Sequence, residues 1–238
     1  MIFAPTFGNF HACTFVERTF QVNALTLQQL ERRYPLPDSL CKAVLKRQVE
    51  FLAGRVCAQQ ALTDLIGHQP RPIPSQPDRS PAWPAGIVGS LTHTTGYAAV
   101  LLALETHYQG IGIDCEVTLS PDKLKLQKHL CVTHELDTLH ETHSNWRPER
   151  LLTLVFSAKE SLFKCLYRQV RKFFGFSAAR LLSLDQEQGT FVIQLEQDLT
   201  PGLGRQAQWS GHFEFQDDLL MTVILHPGTA HSLSDENP

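Results

Sequence analysis

The chain has 238 residues, of which 42% are hydrophobic, and its formal net charge is -3 at pH 7. This hydrophobic content can build a core, which excludes global disorder, and the slightly acidic balance argues against a general nucleic-acid binder. The six scattered cysteines form no C-x-x-C pair, and we find neither a signal-peptide pattern nor an apolar stretch of about 20 residues, so we expect a reduced, cytoplasmic protein without a transmembrane segment.

The first half of the chain is dominated by one long helical pattern. After an irregular start and a short helix in TLQQLERRY, apolar residues at helical spacing predict a helix from about 39 to 66. Arg47 and Arg55 lie eight residues apart and point to roughly the same side, where a solvated face is the simpler interpretation. The proline-rich segment 67–86 predicts a long loop, and GSLTHTTG (89–96) predicts a turn leading into a strand at about 97–104.

The second half repeats the combination of helix and strands. GIGIDCEV (110–117) predicts a strand, residues 121–154 are mainly helical with a break near SNWRP, and FSAKESLFKCLYRQV (156–170) predicts a strong helix. Four late strands follow, in ARLLSLD, TFVIQLEQ, AQWSGHFEFQ and LLMTVILH. We therefore expect an α+β fold with two similar-sized lobes that divide near residues 105–110.

Two carboxylates lie on one face of the strand predicted at 110–117. Side chains alternate along a strand, so Asp114 and Glu116 share a face while Cys115 points to the opposite face, towards a core. Neighbouring carboxylates repel each other and are costly to bury unpaired, and a divalent cation such as Mg²⁺ removes both penalties. The alternative is an exposed edge strand with solvated acids, which the D-x-E spacing alone slightly favours.

A third acid and two cations lie close together in the helix predicted at 156–170. Ser157 and Glu160 have the spacing of a capping box, so Glu160 could simply close a helix terminus, with Lys164 as its partner one turn later. Lys159, Glu160 and Lys164 could equally act as a metal ligand and a phosphate clamp at a helix start. The spacing does not decide between these interpretations.

Three blocks, in this order, resemble the signature blocks of the 4'-phosphopantetheinyl transferases. They are WPAGIVGSLTH, GIGIDCE and FSAKESLFK, and the closest likeness is to the Sfp-type branch and its enterobactin synthetase component D group. The FLAGRVCAQQAL helix and the PDRSPAWP loop resemble that group too, so the similarity spans about residues 44–182. It implies a 4'-phosphopantetheinyl transferase fold of two lobes in pseudo-two-fold arrangement, with the active site in the cleft between them. We place the N-terminal lobe at 1–108, the C-terminal lobe at 109–228 and a flexible tail at 229–238.

The resemblance implies an enzyme that moves the phosphopantetheine arm of coenzyme A to a serine of an apo carrier protein and releases 3',5'-ADP. Asp114 and Glu116 match the family's Mg²⁺ ligands, with Mn²⁺ as an alternative ion, and Glu160 matches the third acid. Lys159 and Lys164 match its phosphate-contacting lysines. Glu160 would take the serine proton, directly or through a water on the metal, and Lys164 would assist departure of 3',5'-ADP.

The remaining matched residues belong to the coenzyme A site, which also includes Asp114. Ser90 and His93 lie in a segment whose exposed backbone N–H groups could hold phosphate, and they match the block that touches the nucleotide's phosphates. Arg47 and Arg55 resemble the basic pair that grips the 3'-phosphate, with help from Arg79. The family match changes our interpretation of the two helix arginines from a solvated face to a binding pair.

The carrier protein is the expected partner, and carriers of this class are usually acidic. Six cations and one acid lie between 159 and 180, a balance that suits steering of an acidic partner, although a solvated helix face explains Arg168 and Arg171 equally well. The cations are Lys159, Lys164, Arg168, Arg171, Lys172 and Arg180. A siderophore or other nonribosomal peptide pathway is what the subgroup resemblance implies, and we expect a monomer because two lobes in one chain can complete the site. Two other classes stay open: a metal-dependent phosphodiesterase acting on coenzyme A, and a non-catalytic subunit that binds coenzyme A or a carrier.

Overall fold

The computed structural model describes residues 2–68 and 72–228. An antiparallel three-stranded sheet with the order β1-β3-β2 organises the first half: β1 is Cys13–Thr19, β2 is Ile87–Thr94 and β3 is Tyr97–Leu104. Helix α3 (Leu45–Ile66) packs on this sheet and α2 (Ala24–Glu31) packs on α3, after a short α1 (Ala4–Phe7). The small apolar side chains of α3 and the valine-, leucine- and alanine-rich β3 form one core.

An antiparallel five-stranded sheet with the order β4-β8-β7-β6-β5 organises the second half. Its strands are β4 (Tyr108–Val117), β5 (Ala179–Asp185), β6 (Thr190–Leu195), β7 (Gln208–Gln216) and β8 (Leu219–Pro227). The helices are α4 (Gln127–Leu130), α5 (Glu135–Thr142) and α6 (Pro148–Val170), of which α6 packs directly on β4 and β8. A second core lies between α6 and this sheet.

The two sheets meet where β2 and β4, each an edge strand, run side by side. Backbone N–H groups of β4 bond to side-chain hydroxyls of β2: Ile113 N–H donates to Ser90 Oγ (3.0 Å) and Cys115 N–H donates to Thr92 Oγ1 (3.0 Å). A third apolar cluster, with members from both sheets, lies beside this contact. Two hydroxyls therefore satisfy donors that would otherwise be left at a buried sheet edge.

Two glycines of β4 allow α6 to approach the strand at backbone distance. A Cβ on Gly112 would lie 1.8 Å from the carbonyl oxygen of Ser161, and a Cβ on Gly110 would lie 2.1 Å from that of Cys165. On the same face of α6, the Ser161 hydroxyl bonds the carbonyl of Thr222 at 3.1 Å. The spacing of the GIG sequence is thus a packing requirement that sets the height of α6 over β4.

The structure confirms the mixed α/β class and most predicted elements, and it corrects three of them. The start of the chain is not irregular, because β1 pairs with β3 along its length. The segment predicted as a turn at 89–96 is mostly strand β2, with only its last two residues in the turn. The long helix begins at Leu45 rather than near 39.

The structure excludes one of the two interpretations of Ser157 and Glu160, the capping box, and it corrects the start of the helix predicted at 156–170. Helix α6 begins at Pro148, with proline in its first turn, and Ser157 lies in the middle of the helix. Its hydroxyl finds a tertiary partner, Thr222 Oγ1, at 2.9 Å. Glu160 therefore sits deep in a long helix, and no charge–dipole argument for a helix start applies to it.

Two further expectations concern the C-terminal tail and membrane-spanning helices. The tail predicted at 229–238 lies outside the described residues. Within residues 2–68 and 72–228, no helix combines the length and the apolar content that a membrane span requires.

Candidate active site

A cavity of about 1530 Å³ is lined by α3, the loop before β2, strands β2 and β4, and the C-terminal half of α6. Seven of the ten residues predicted for the site line it. They are Arg47, Arg55, Arg79, Ser90, His93, Asp114 and Lys164. These seven come from segments that are far apart in the sequence, so the fold brings the three resembling blocks together around one space.

Asp114 and Lys164 form the centre of the acidic end of the cavity. Lys164 Nζ donates to Asp114 Oδ1 at 2.7 Å and to the carbonyl of Ile113 at 2.9 Å. Thr92 Oγ1 lies 3.4 Å from the same Asp114 oxygen. The other carboxylate oxygen, Oδ2, is buried and has no hydrogen-bond partner among the described residues. A buried carboxylate oxygen without a donor is costly, and this atom is free to accept a hydrogen bond or to contact a cation.

Glu116 and Glu160 stand close enough to Asp114 for their charges to interact. Burial, the Asp114 carboxylate and then Glu160 raise the pKa of Glu116 to about 7, against the opposing effect of Lys164. Burial and the Asp114 carboxylate also raise the pKa of Glu160, again against Lys164. Three acids that disfavour each other's charge, with one lysine among them, form a site short of positive charge.

The donor chemistry of the three acids fits a hard divalent cation, whereas their side-chain positions are not preassembled around one. Carboxylate oxygens are what Mg²⁺ prefers, and Asp114 Oδ2 has no competing donor. Yet across residues 2–68 and 72–228 no three histidine, cysteine, aspartate or glutamate side chains are grouped closely enough to hold a metal ion. In this structure Lys164 supplies the positive charge at Asp114 instead.

The opposite end of the cavity is basic. Arg55 is 3% exposed, donates from Nη2 to Ser75 Oγ at 2.7 Å, and has its Nε and Nη1 donors buried without a described partner. Burial lowers the pKa of its guanidinium, an effect that nearby Arg47 reinforces and Tyr34 opposes. Because a buried, under-satisfied guanidinium is costly, this end of the cavity is suited to an anion.

His93 lies between the two ends and is held neutral. Burial, then Arg47 and Lys164, lower its pKa to about 4. Its Nε2 lies 3.2 Å from Arg47 Nη1, and a guanidinium can only donate, so Nε2 accepts. The proton is then on Nδ1, which faces Glu50 at 3.8 Å. A neutral imidazole can offer this N–H as a hydrogen-bond donor without adding charge.

Lys159 does not belong to this cavity. It is 3% exposed, and its Nζ lies 2.7 Å from Glu135 Oε2 and 2.8 Å from the carbonyl of Leu130, on the side of α6 away from Asp114. Successive helical residues are rotated by about 100°, so Lys159 and Glu160 cannot face the same site. The geometry therefore does not support the predicted contact between Lys159 and a phosphate. The FSAKESLFK motif could not indicate the ion pair, because the partner of Lys159, Glu135, is 24 residues away.

Several cavity residues were not predicted. Thr92 bonds both strand β4 and Asp114, and Tyr167 donates to Asp78 Oδ2 at 2.7 Å across the cavity rim. Phe163 and Phe173 add aromatic surface. For Phe163 and Tyr167 a sequence signal existed, because they follow Glu160 and Lys164 by three residues each and so share one helical face. The Asp78 contact had none.

Residues 36–103 match the 4'-phosphopantetheinyl transferase N-terminal domain, and residues 110–223 match the 4'-phosphopantetheinyl transferase superfamily. The 4'-phosphopantetheinyl transferase Npt of Nocardia iowensis is 31% identical over 207 residues, which cover 82% of this chain and 90% of that protein. The 4'-phosphopantetheinyl transferase Svp of Streptomyces mobaraensis is 35% identical over 191 residues, which cover 78% of this chain and 74% of that protein. Enterobactin synthase component D of Salmonella typhimurium is 36% identical over 153 residues, which cover 63% of this chain and 61% of that protein.

Proposed function

The chain belongs to the 4'-phosphopantetheinyl transferase superfamily, and from that premise we propose the reaction that its cavity carries out. The phosphopantetheine arm of coenzyme A is transferred to the serine hydroxyl of an apo carrier protein, and 3',5'-ADP is released. The observation that carries the proposal is the cavity itself, which joins an under-satisfied guanidinium at Arg55 to the acid cluster at Asp114. A phosphate-rich ligand that also needs a cation would satisfy both ends.

Each end of the cavity would hold a different part of coenzyme A. Arg47 and Arg55, with Arg79, would bind the 3'-phosphate as charge-assisted hydrogen-bond donors, which their place in the cavity lining supports. Lys164 and the neutral His93, which also line the cavity, would bind the pyrophosphate oxygens, with His93 turning its N–H from Glu50 to the ligand. This arrangement would hold the scissile pyrophosphate near the carboxylate of Asp114. The thiol end of the phosphopantetheine arm would then lie near the aromatic side chain of Phe163.

The chemical step forms one phosphorus–oxygen bond and breaks another. The carrier serine oxygen attacks the pantetheine-side phosphorus, the bond from that phosphorus to the bridging oxygen breaks, and 3',5'-ADP leaves with the bonding electrons. Glu160 would take the serine proton, since burial raises the pKa of its carboxyl and makes it a stronger base than an exposed glutamate. Lys164 stabilises the charge that develops on the leaving phosphate.

Mg²⁺, with Mn²⁺ as a substitute, would be held by Asp114, Glu116 and Glu160, and when bound it would neutralise charge on the pyrophosphate. What supports this is the unpartnered Asp114 oxygen and the raised pKa values of the two glutamates. The lysine that now pairs with Asp114 would move to the phosphate when the cation takes its place. The metal site would thus be completed only when the cation and coenzyme A bind.

The architecture we propose has two lobes in pseudo-two-fold arrangement, residues 1–108 and 109–228, with the active site in the cleft between them. Support comes from the two separate sheets and from a cavity whose lining residues belong to both. One chain supplies both sides of the cavity, so we expect a monomer to be active. The six free thiols and a coenzyme A substrate suit a cytoplasmic location.

The partner we propose is an acidic carrier protein of a siderophore or other nonribosomal peptide pathway, a choice supported by the enterobactin synthase relative. The basic patch predicted at 159–180 is smaller than the sequence indicated. Arg168 pairs with Glu105 and Arg180 pairs with Glu196, whereas Arg171 and Lys172 stay exposed beside Phe173, which is 82% exposed. Arg171 and Phe173 also line the cavity, so a carrier steered there would reach its mouth.

Intact-mass spectrometry of an apo carrier protein tests the proposal. The carrier, coenzyme A and Mg²⁺ are mixed with this protein, and we expect the carrier to gain one phosphopantetheine arm and 3',5'-ADP to appear, both lost with EDTA. Free 3',5'-ADP without carrier modification would instead identify a phosphodiesterase. Binding of coenzyme A with neither product, over several carriers, would identify a non-catalytic binding subunit.

A further inference from the structure

A fully buried ion pair lies on the far side of α6 from the acid cluster, one residue along the helix from Glu160. The side chains of Lys159 and Glu135 are 2% and 0% exposed, and their Nζ and Oε2 atoms lie 2.7 Å apart. Glu135 Oε2 also accepts from the backbone N–H of Val132 at 2.8 Å, and its Oε1 accepts from that of Leu181 at 2.6 Å. Lys159 Nζ donates in addition to the carbonyl of Leu130. Both charges are thus closely satisfied, as a buried pair requires.

These contacts join three separate elements at one point of α6. Leu130 closes α4, Glu135 opens α5, and Leu181 lies in β5. Lys159 is the residue of α6 that they all meet, directly or through Glu135. The pair therefore fixes the height and the rotation of α6 at residue 159, on the face opposite β4.

Glu160, the next residue, has nothing comparable to hold it. Among residues 2–68 and 72–228 the Glu160 carboxylate forms no hydrogen bond or ion pair, and what acts on it is the charge of Asp114 and Lys164. Its position relative to Asp114 is therefore set by the backbone of α6. A small rotation of the helix would carry Glu160 away from Asp114, because adjacent residues move with the same backbone.

We propose that Lys159 is a positioning residue, which acts through its buried ion pair with Glu135 to hold Glu160 against Asp114. This inference rests on the proposed function only for the meaning of Glu160, since the pair and its contacts are independent of any substrate. It replaces the phosphate contact that the motif suggested for Lys159. The two roles differ in what Glu135 should do: a positioning pair needs Glu135, whereas a phosphate-binding lysine does not.

The test compares Lys159→Met and Glu135→Gln with the unchanged protein in four measurements: Mn²⁺ affinity by electron paramagnetic resonance, 3',5'-ADP affinity by calorimetry, kcat for arm transfer, and KM for coenzyme A. We expect both variants to bind Mn²⁺ about 10- to 100-fold more weakly and to lose kcat by a similar factor, the range typical of groups that orient metal ligands. Affinity for 3',5'-ADP and KM for coenzyme A should stay within about threefold, because Arg47 and Arg55 lie on another element.

Loss of folding is separated from loss of position by a matched control. Leu195→Ala removes a fully buried side chain from the same core, on β6, without touching the ion pair, and its cavity should lower the melting temperature. At a temperature where all variants are folded, Leu195→Ala should keep its Mn²⁺ affinity and its kcat. Equal losses in this control would mean that general destabilisation explains the effect, and the inference would be wrong. Where Lys159→Met does not fold, Glu135→Gln decides.

Two other outcomes overturn the inference. A Lys159→Met variant that loses 3',5'-ADP affinity, next to a normal Glu135→Gln variant, would make Lys159 a phosphate ligand. Unchanged Mn²⁺ affinity and kcat in both variants would leave the pair a purely structural one. Failure of the proposed function is recognised separately, because the unchanged protein would then transfer no arm while the Mn²⁺ comparison among the variants still gives its answer.

Discussion

At the scale of single residues, the acid cluster is a place where the folded chain is short of positive charge. Asp114 is 4% exposed, and within the part of the chain that the structure describes only its Oδ1 has hydrogen-bond partners, Lys164 and Thr92. Glu116 and Glu160 respond to burial and to Asp114 by holding their protons more tightly. Each of these features is costly to the folded state, and a divalent cation bound as we propose would offset that cost.

Replacement of Asp114 or Glu160 by alanine should lower the rate of arm transfer by about 100-fold or more, because the charge on the pyrophosphate would lose its counter-ion. The fold should remain, as judged by circular dichroism. Asp122→Ala removes a 64% exposed acid from the segment after β4 and is the matched control. Full activity in either active-site variant would remove that residue from the metal site.

Glu116→Gln should change the pH dependence of stability in the metal-free protein. A glutamate whose folded-state pKa is raised from 4.5 to about 7 is protonated in the fold at low pH, and its ionisation costs stability as the pH rises through that window. The glutamine variant avoids this cost. After allowance for partial solvent screening we expect it to be about 1–2 kcal/mol more stable than the unchanged protein at pH 8, and equally stable near pH 4.5.

Urea unfolding in EDTA at the two pH values measures this difference, with the exposed Glu187→Gln as control. With Mg²⁺ added at pH 8 the order of stability should reverse, because only the carboxylate gains from the cation. If the free energy of unfolding changed with pH in the same way for Glu116→Gln and the unchanged protein, the pKa of Glu116 would not be raised in the folded state.

At the scale of elements, the contact between α6 and β4 builds the site. The glycines of β4 let α6 settle at backbone distance, which brings Lys164 onto Asp114 and keeps Glu160 beside it. The sequence predicted both elements and the side-chain alternation of β4, including the buried face of Cys115. It did not predict where α6 begins, because the S-x-x-E spacing at Ser157 matches a local cap, whereas the real partner of Ser157 is Thr222 on a distant strand.

The same limit explains the other errors at this scale. GSLTHTTG has the composition of a turn, and only its pairing with β3 makes most of it a strand. Lys159 has the motif position of a site residue, and only Glu135 shows where it points. Local pattern specifies the type of most elements, and contacts between residues far apart in the chain decide the boundaries and the direction of individual side chains.

Gly112→Ala tests the close contact between α6 and β4. Its Cβ would lie 1.8 Å from a backbone oxygen of α6, so the helix must move, at a cost of about 1–3 kcal/mol or more. We expect a lower melting temperature and, at temperatures where the variant is folded, slower transfer, because Lys164 and Glu160 move with the helix. Gly202→Ala, which has no neighbour within 4 Å, should leave both quantities unchanged. Normal activity in Gly112→Ala would mean that the site tolerates displacement of α6.

At the scale of the whole molecule, the cavity exists because two sheets meet along β2 and β4. Main-chain ladders close within each sheet, whereas the hydrogen bonds described between these two strands run through Ser90 and Thr92. From the sequence we expect two halves that divide near residues 105–110. Nothing in the sequence indicates this contact, because hydroxyl residues with strand-like neighbours occur in many solvated strands.

Combined replacement of Ser90 by alanine and Thr92 by valine should weaken the contact between the sheets. The N–H groups of Ile113 and Cys115 would lose their acceptors in a buried place, at about 1–3 kcal/mol for each. Hydrogen exchange should become faster at these two amides, with little change inside the β1-β3-β2 sheet. Unaltered exchange at both amides would show that the hydroxyls are not what protects them.

The meeting of β2 and β4 also has a consequence for the order of folding. Each sheet draws all its strands from its own half of the chain, although β1 pairs with the distant β3 and β4 with the distant β8. The cavity, which needs residues of both halves, forms only when the two sheets dock. The first sheet leaves the ribosome before the second and would wait for it. A ligand that contacts both Arg47 and Lys164 binds only when the two sheets are in contact. Such a ligand should therefore slow the separation of the two sheets more than it slows the unfolding of either sheet.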